Sequence, residues 1–270
     1  MPVKSRPSQA VVEERRQAIL SRVAEAGEIR IAELADHFNV SLMTMHRDLD
    51  RLASRNLLRK ERGLAVAFPM LTMETATRFR EGVNLELKAA LCAAAVRYIS
   101  SGETILVDDS STVLPLAAEL RKAGTEHLSV VTNSLGVAGR MAEELPRADV
   151  TLLGGRFQSE FNSCTGPEVT RVLARTHVDV VLMSATAVLG GNLYHPVREV
   201  AEIKEAMVGS GSEALLLIDH TKFGKAATHM HGSVAAFRAV ITDAETSTEE
   251  IFALRETGVA VDVIDPGPIT

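Results

Sequence analysis

Hydroxyl and carboxylate side chains cluster where the first long apolar run of the sequence ends, in the stretch VDDSSTVLPLAAEL. A buried strand would end at this point, and a helix over Val113–Lys122 would begin directly after the cluster. Free amide groups at a helix start, together with hydroxyl donors, favour an anion such as a phosphate or a carboxylate. The same hydroxyls could equally cap the helix without any ligand. The residues of this cluster are Asp108, Ser110, Ser111 and Thr112.

Similar polar clusters follow other apolar runs, in VVTNSLG, LLGGRF and IDHTKFGK. Ligands of doubly wound α/β sheets gather at the carboxyl ends of the strands, so these clusters should converge on one rim. Glycines would let the backbone approach a ligand closely, and the two cations would neutralise an anion. A lone surface cation is, however, more often only solvated. The ligand-binding residues predicted from these clusters are Thr132, Asn133, Gly154, Gly155, Arg156, Asp219 and Lys222.

A different kind of site is indicated by residues 40–63, VSLMTMHRDLDRLASRNLLRKERG. Ser41 is a good N-cap, and Met45, Leu49 and Leu52 recur at helical spacing, so they should face inward. Two short helices, this third helix and a basic hairpin around Arg62-Gly63 describe a winged helix-turn-helix, whose third helix fits the major groove of DNA. The alternative is a small helical domain with a solvated basic face. The predicted DNA-binding residues are Ser41, Thr44, His46, Arg47, Arg51, Arg59, Lys60 and Arg62.

Strand and helix patterns alternate after Gly102 and would position the polar clusters. Apolar strands buried on both faces are typical of parallel sheets, and their alternation with helices indicates an α/β domain. The predicted strands are TILVD, LSVVT, DVTLLG, DVVLMSA, ALLLID, RAVITD and VAVDVI. The predicted helices are KAALCAAAVRYI before the first strand, and then Val113–Lys122, Leu135–Glu144, Pro167–His177, Val197–Gly209 and Thr248–Thr257.

Charge is divided unevenly along the 270 residues, whose net charge is -6. Residues 1–62 hold 12 Lys/Arg and 9 Asp/Glu, whereas the remainder holds 17 and 26. A basic segment joined to an acidic body suggests an interaction end. The two cysteines form no CxxC pair and fit a reducing cytoplasm, and no apolar run reaches the ~18 residues of a membrane span. We therefore expect a cytoplasmic protein with no membrane partner.

The stretch VSLMTMHRDLDRL resembles the recognition helix of DeoR-type bacterial regulators, whose signature is V-S-x-x-T-I-R-R-D-L. His46 stands where the family usually has its first Arg, and RGLA replaces the family's H-G-G-A in the wing. The family's effector-domain motifs follow in order: DDSST resembles D-x-G-T-T with Ser110 in the glycine place, and VVTNS and LLGG match. SCTGPE supplies the family glycine, AEIKEAM places Lys204, and DHTKFG and ITD complete a resemblance over roughly residues 12–260.

This resemblance implies a transcriptional regulator, most simply a repressor, whose operator affinity is controlled by a phosphorylated sugar. The expected fold is α/β with a small α+β head: a winged helix-turn-helix over residues 1–66, a linker over 67–87, and an α/β effector domain over 88–270. The effector domain should contain a doubly wound, mostly parallel sheet, similar in fold to ribose-5-phosphate isomerase and coenzyme A transferases. The expected partners are a double-stranded DNA operator, a phosphorylated sugar and further copies of the chain in a dimer or tetramer.

The fold kinship also makes a sugar-phosphate isomerase the principal alternative. Such chemistry needs a carboxylate base and a charge stabiliser, for which Asp108, Asp109 or Asp219 and Lys222 are candidates. The simpler interpretation is that these side chains bind hydroxyls and phosphate, so we predict no enzyme and no catalytic residue. His229 and His231, two positions apart, complete no metal site, and neither a metal nor a cofactor is predicted. An adaptor that uses the winged helix to bind protein is a third possibility.

Overall fold

The computed structural model describes residues 9–53, 58–67 and 80–265, and the chain divides into two compact units, residues 1–82 and 83–270. Of the predicted linker over 67–87, residues 68–79 lie outside the described residues. The helix after it begins at Leu85, earlier than the Lys88 that the sequence predicts. Within the described ranges, no helix is both long and apolar enough to cross a lipid bilayer.

The described residues 9–53 and 58–67 of the N-terminal unit contain three helices that pack against a small antiparallel sheet with the order β1-β3-β2. Gly27 adopts a φ of 75° directly after α1, a conformation that glycine allows at little cost. Side chains from all three helices and the wing form one core, including Ile19, Leu34, Leu49 and Leu58. The elements are α1 (Gln9–Ala26), β1 (Glu28–Arg30), α2 (Ile31–His37), α3 (Leu42–Ala53), β2 (Leu58–Glu61) and β3 (Leu64–Ala67).

The C-terminal unit is built on a parallel sheet with seven described strands, which confirms the predicted α/β fold. Its helices are α4 (Leu85–Val96), α5 (Leu116–Ala123), α6 (Leu135–Glu144), α7 (Pro167–Leu173), α8 (Arg198–Gly209) and α9 (Thr248–Glu256). The strands of the large sheet are β4 (Thr104–Val107), β5 (Ser129–Thr132), β6 (Asp149–Leu152), β9 (Val178–Met183), β12 (Gly211–Leu217), β14 (Ala239–Asp243) and β15 (Ala260–Ile264).

The strand order β15-β14-β12-β9-β4-β5-β6 shows that the sheet is doubly wound. From β4 the chain adds β5 and β6 on one side and then returns to add β9, β12, β14 and β15 on the other. One apolar core includes Leu91, Leu116 and Val137 on one face of the sheet, and a second includes Val169 and Ile203 on the opposite face. The switch point of the winding, where ligands of such folds bind, therefore lies between β4 and β9.

Short antiparallel strands that the sequence did not predict are added outside the large sheet. β7 (Arg156–Gln158) pairs with β8 (Ser163–Thr165), and β11 (Asn192–His195) lies between β10 (Ala187–Leu189) and β13 (His229–Ser233). The predicted start of a helix at Val113 is wrong, because α5 begins at Leu116 after a turn in which the Val113 amide donates to the Ser110 carbonyl. The three strand pairings and the turn before α5 are therefore features that the hydrophobic periodicity of the sequence does not reveal.

Candidate functional site

The third helix of the N-terminal unit is fixed from behind by its core and by a buried carboxylate. Met45, Leu49 and Leu52 are buried, as their spacing predicts. Asp48 is buried beside them and accepts hydrogen bonds from Arg15, through Nη2 at 2.7 Å, and from Arg16, through Nε at 2.9 Å. Two charged donors from α1 therefore satisfy Asp48 and lock α3 to α1, an ion-pair role that the sequence analysis did not identify.

The opposite side of α3 presents its amino-terminal turn to solvent. Ser41 Oγ accepts from the Thr44 amide at 3.2 Å and lies 2.9 Å from the Thr44 hydroxyl, so Ser41 caps the helix. His46, Arg47 and Arg51 are exposed, as predicted for residues that contact DNA. Two large apolar side chains, Leu42 and Met43, are also exposed on this first turn, and sequence reasoning did not single them out.

The wing is a two-residue hairpin whose turn residues, Arg62 and Gly63, both have positive φ angles of 47° and 84°. Positive φ angles at both turn residues are typical of the tight hairpin turns whose twist matches that of the flanking antiparallel strands. The wing cations are partly paired within the unit, because Arg59 contacts Glu61 at 3.1 Å and Lys60 contacts Asp50 of α3. The structure thus brings Lys60 to α3 and leaves Arg62 exposed at the tip of the hairpin.

A buried polar cluster occupies the switch point between β4 and β9. Asp108 directly follows β4, and its Oδ1 accepts hydrogen bonds from the Ser110 amide at 3.0 Å and the Ser110 hydroxyl at 2.6 Å. Its Oδ2 accepts from the Ser184 amide after β9, at 3.1 Å, and from Lys204 Nζ of α8. Lys204 also donates to the Ser184 carbonyl at 3.0 Å. Asp108 therefore joins both strand ends and α8.

Ser111 and Thr112, the other two hydroxyl residues predicted from the stretch VDDSST, are held by contacts to α4. Lys88 Nζ donates to Ser111 Oγ at 3.1 Å, and Cys92 Sγ donates to the Thr112 carbonyl at 3.2 Å. Burial raises the pKa of the Cys92 thiol, so the sulfur stays protonated. The amides of Ser111 and Thr112 make no hydrogen bond to any described group. Both residues are buried, and both amides belong to a turn and not to a helix start.

The residues after β5 and β6 line the neighbouring part of the rim. Thr132 Oγ1 accepts from the Ser134 amide at 3.0 Å, and Asn133 Nδ2 donates to the Cys164 carbonyl at 3.0 Å. Gly154 and Gly155 are exposed, and a Cβ built on Gly155 would lie 2.6 Å from the Thr165 carbonyl. Close approach of two backbones explains why glycine stands at position 155.

The two cations that the sequence predicts to bind an anion, Arg156 and Lys222, differ in their contacts. The guanidinium of Arg156 pairs with Glu199 of α8 and lowers the pKa of that carboxyl, so its charge is already balanced. Lys222 is half-buried, and within the ranges that the structure describes its ammonium makes no ion pair or hydrogen bond. Asp219 accepts from the Thr221 amide at 3.0 Å and from the Thr221 hydroxyl, so it caps the short helical turn His220–Lys222.

Sequence reasoning missed two buried groups beside this cluster: Ser184 and His231. Ser184 Oγ and both ring nitrogens of His231 are buried without a hydrogen-bond partner among the described residues, and so is Asn133 Oδ1. Desolvation, assisted by the nearby Lys204 charge and partly opposed by Asp108, lowers the pKa of His231 to about 3. No group of three His, Cys, Asp or Glu side chains in the described part of the chain is arranged to hold a metal ion.

Comparison with known proteins identifies the family of both units. A model described as a DeoR-like helix-turn-helix domain matches residues 15–68, and one described as the DeoR C terminal sensor domain matches residues 83–244. The uncharacterized HTH-type transcriptional regulator YgbI of Escherichia coli K12 is 30% identical over 232 residues, 85% of this chain and 89% of its own length. The glycerol-3-phosphate regulon repressor of the same organism is 30% identical over 237 residues, 86% and 90% of the two chains.

Solved structures resemble the chain only weakly. Ribose 5-phosphate isomerase A from Neisseria gonorrhoeae aligns with a TM-score of 0.38 and 16% identity over 51% of this chain and 52% of its own. The seven-stranded parallel sheet described above establishes the fold.

Proposed function

Because this chain belongs to the DeoR family of transcriptional regulators, we propose that α3 and the wing bind an operator in double-stranded DNA and that a phosphorylated sugar at the switch point changes that affinity. The supporting observation is that a DNA-binding unit and a sensor domain follow each other in one chain, each matched by its own family model. Its relatives are named regulators and repressors, so the chain is a regulator and not an enzyme.

The placement of the three carboxylates considered as catalytic bases agrees with this function. Asp108 is held by Lys204, Ser110 and Ser184, and Asp109 accepts from the Ser163 hydroxyl at 2.7 Å. Asp219 caps its own turn. Each carboxylate fixes local backbone and loops, which favours a rigid binding site over a site for proton abstraction.

On the DNA side, the exposed residues in the amino-terminal half of α3 are proposed to read base edges. Arg47 can bind guanine, whereas His46 offers only single ring donors or acceptors. Leu42 and Met43 are suited to contact with thymine methyl groups. The predicted residues of the wing, Arg59, Lys60 and Arg62, would contact phosphates, and Ser41 and Thr44 would meet the backbone at the helix start.

On the effector side, the phosphate is proposed to bind the amides of Ser111 and Thr112, with Lys222 as its cation. Glycerol-3-phosphate in the name of one relative indicates the chemical class, a small phosphorylated polyol or sugar. A ligand alters operator affinity only if it binds the two conformational states unequally, and couplings of about 1–3 kcal/mol are typical. Two heads held together by the sensor domains would bind paired half-sites, and residues 67–87 would transmit the change.

The DNA assignment is tested with Arg47→Ala and, as a matched control, Arg140→Ala in the sensor domain. Duplexes selected by the wild-type protein from a random library serve as the probe, and affinity is measured by fluorescence anisotropy at several salt concentrations. Loss of a base contact should weaken binding by roughly 5- to 150-fold in Arg47→Ala only, since such contacts contribute about 1–3 kcal/mol. Equal affinities, or wild-type binding that ignores salt, would contradict the assignment and favour an adaptor.

A parallel experiment tests the effector site with Lys222→Ala and Lys122→Ala, an exposed lysine of α5. Thermal unfolding of the full chain is followed with a panel of phosphorylated sugars, because a ligand that binds the folded state raises the unfolding temperature. Lys222→Ala should lose most of the ligand-induced shift and retain operator binding. An unchanged shift would remove Lys222 from the proposed site.

A further inference from the structure

Three buried side chains at the rim carry polar atoms that the described protein atoms do not satisfy. These side chains, Asn133, Ser184 and His231, are each at most 3% exposed. Leaving a buried donor or acceptor unpaired costs roughly 1–3 kcal/mol, so folded proteins seldom retain several such groups together. A bound ligand that supplies the missing partners would remove this cost.

The sheet order places these groups around one point. β4 lies between β5 and β9, so Asn133 after β5 and Ser184 after β9 flank Asp108 on either side. Neighbouring strands stand about 4.8 Å apart, so β5 and β9, which flank β4, are about 10 Å apart, and side chains from both ends can reach one small ligand between them. His231 comes from β13, which packs against α8, and α8 supplies the Lys204 that pairs with Asp108.

The unsatisfied groups are uncharged, whereas the charges beside them are balanced. Lys204 is paired with Asp108, so this side of the site offers little net attraction for phosphate. A neutral imidazole provides one donor and one acceptor, the Ser184 hydroxyl provides both, and Asn133 Oδ1 provides an acceptor. Alcohol groups, which donate and accept, complement such a set, and a phosphorylated sugar carries several of them along its carbon chain.

We propose that His231 is a specificity-determining residue that hydrogen-bonds a hydroxyl on the carbon chain of the effector, with Ser184 and Asn133 completing the hydroxyl-binding side of the site. This inference rests on the proposed function, because it assigns the sugar end of the same ligand. The phosphate end would lie at Ser111, Thr112 and Lys222. A ligand of this class would supply the partner that the imidazole lacks among the described residues.

The test compares the full-length wild-type protein with His231→Leu by calorimetric titration. The probes are inorganic phosphate, ribose 5-phosphate, glucose 6-phosphate and glycerol 3-phosphate, and the 2-deoxy forms of the first two sugars. His229→Leu, the same substitution on the same strand at a half-buried position, is the matched control. His231→Gln keeps a donor and an acceptor and should retain part of the affinity.

For every sugar phosphate that the wild type binds, His231→Leu should weaken binding by roughly tenfold or more. The reason is that the variant buries a ligand hydroxyl without its hydrogen-bond partner, which costs much binding free energy. Affinity for inorganic phosphate should not change. If the contact that His231→Leu removes is to the 2-hydroxyl, this variant should also bind a sugar phosphate and its 2-deoxy form with equal affinity. His231→Leu should fold with at least the wild-type stability in the absence of ligand, since it removes an unpaired buried group.

Three results would overturn the inference or its basis, and they can be told apart. Equal binding of the sugar phosphates by wild type and His231→Leu would remove His231 from the site and leave the proposed function intact. Equal losses for sugar phosphates and inorganic phosphate would place His231 at the phosphate and not at a hydroxyl. A wild-type protein that binds none of the sugar phosphates would contradict the effector class of the proposed function itself.

Discussion

Lys204 of α8 and Asp108 at the end of β4 form an ion pair in which the two side chains are 5% and 0% exposed. Both partners have further hydrogen bonds, to Ser184 and Ser110, so neither charge depends on the other alone. The pair connects a helix on one face of the sheet to the switch point between β4 and β9. The pair therefore fixes α8 to the end of β4, beside the proposed effector site.

Breaking this pair should destabilise the sensor domain. Lys204→Met leaves the Asp108 carboxylate buried without its cation, and a loss of about 3–5 kcal/mol in the free energy of unfolding is expected. Urea unfolding measures it, and the double variant Asp108→Asn/Lys204→Met should lose less than the sum of the single variants. The control is the exposed pair Arg198–Glu202 on the same helix, where Arg198→Ala should cost under about 1 kcal/mol. Equal effects at both pairs would contradict the importance assigned to burial.

Gly155 and Gly154 offer a test of backbone geometry at the rim. A Cβ on Gly155 would lie 2.6 Å from the Thr165 carbonyl and 3.1 Å from a Val169 methyl group, whereas a Cβ on Gly154 meets nothing within 4 Å. Gly155→Ala should therefore lower the free energy of unfolding by about 1–3 kcal/mol, and Gly154→Ala by under about 0.5 kcal/mol. Because the displaced hairpin also holds Asn133, Gly155→Ala should weaken effector binding as well. Similar unfolding curves for both variants would refute the close approach.

Asp50 reduces the positive charge that the DNA-binding unit offers to phosphates, since it pairs with Lys60 of the wing. Asp50→Asn should release Lys60 and raise operator affinity a few-fold at low salt, with a salt dependence steeper by about one unit. Asp149→Asn, an exposed carboxylate of the sensor domain, controls for the change in net charge. An affinity that is unchanged or lower in Asp50→Asn would place Lys60 away from the DNA backbone.

The elements that the sequence predicted correctly are those that local pattern determines. The spacing of Met45, Leu49 and Leu52 fixes the buried side of α3, and apolar runs on alternate segments predict all seven strands of the parallel sheet. Predicting that polar residues after these strands share a rim follows from topology, since parallel strands end on the same side.

The remaining features depend on contacts between distant segments. Lys204 and Asp108 are 96 positions apart, and Arg15 and Asp48 are 33 apart, so spacing alone does not reveal either pair. His231 lies in the strand segment HMHGS, which lacks the alternation of apolar and polar residues that indicates a strand. An unsatisfied hydrogen-bonding atom is a property of the folded neighbourhood, so no sequence pattern marks Ser184 or His231.

Protonation of His231 should link stability to pH in a predictable direction. Burial lowers the pKa of His231 from 6.5 to about 3 in the folded state, so between these values the unfolded chain takes up a proton that the folded chain does not. Stability from this group is therefore present above pH 6.5 and lost as the pH falls toward 3, by about 2 kcal/mol between pH 7 and pH 5. Urea unfolding at both pH values measures the loss, and the difference between wild type and His231→Leu isolates it from other titrating groups. His229→Leu should retain the wild-type dependence, and an identical dependence in His231→Leu would show that the imidazole is not held neutral by burial.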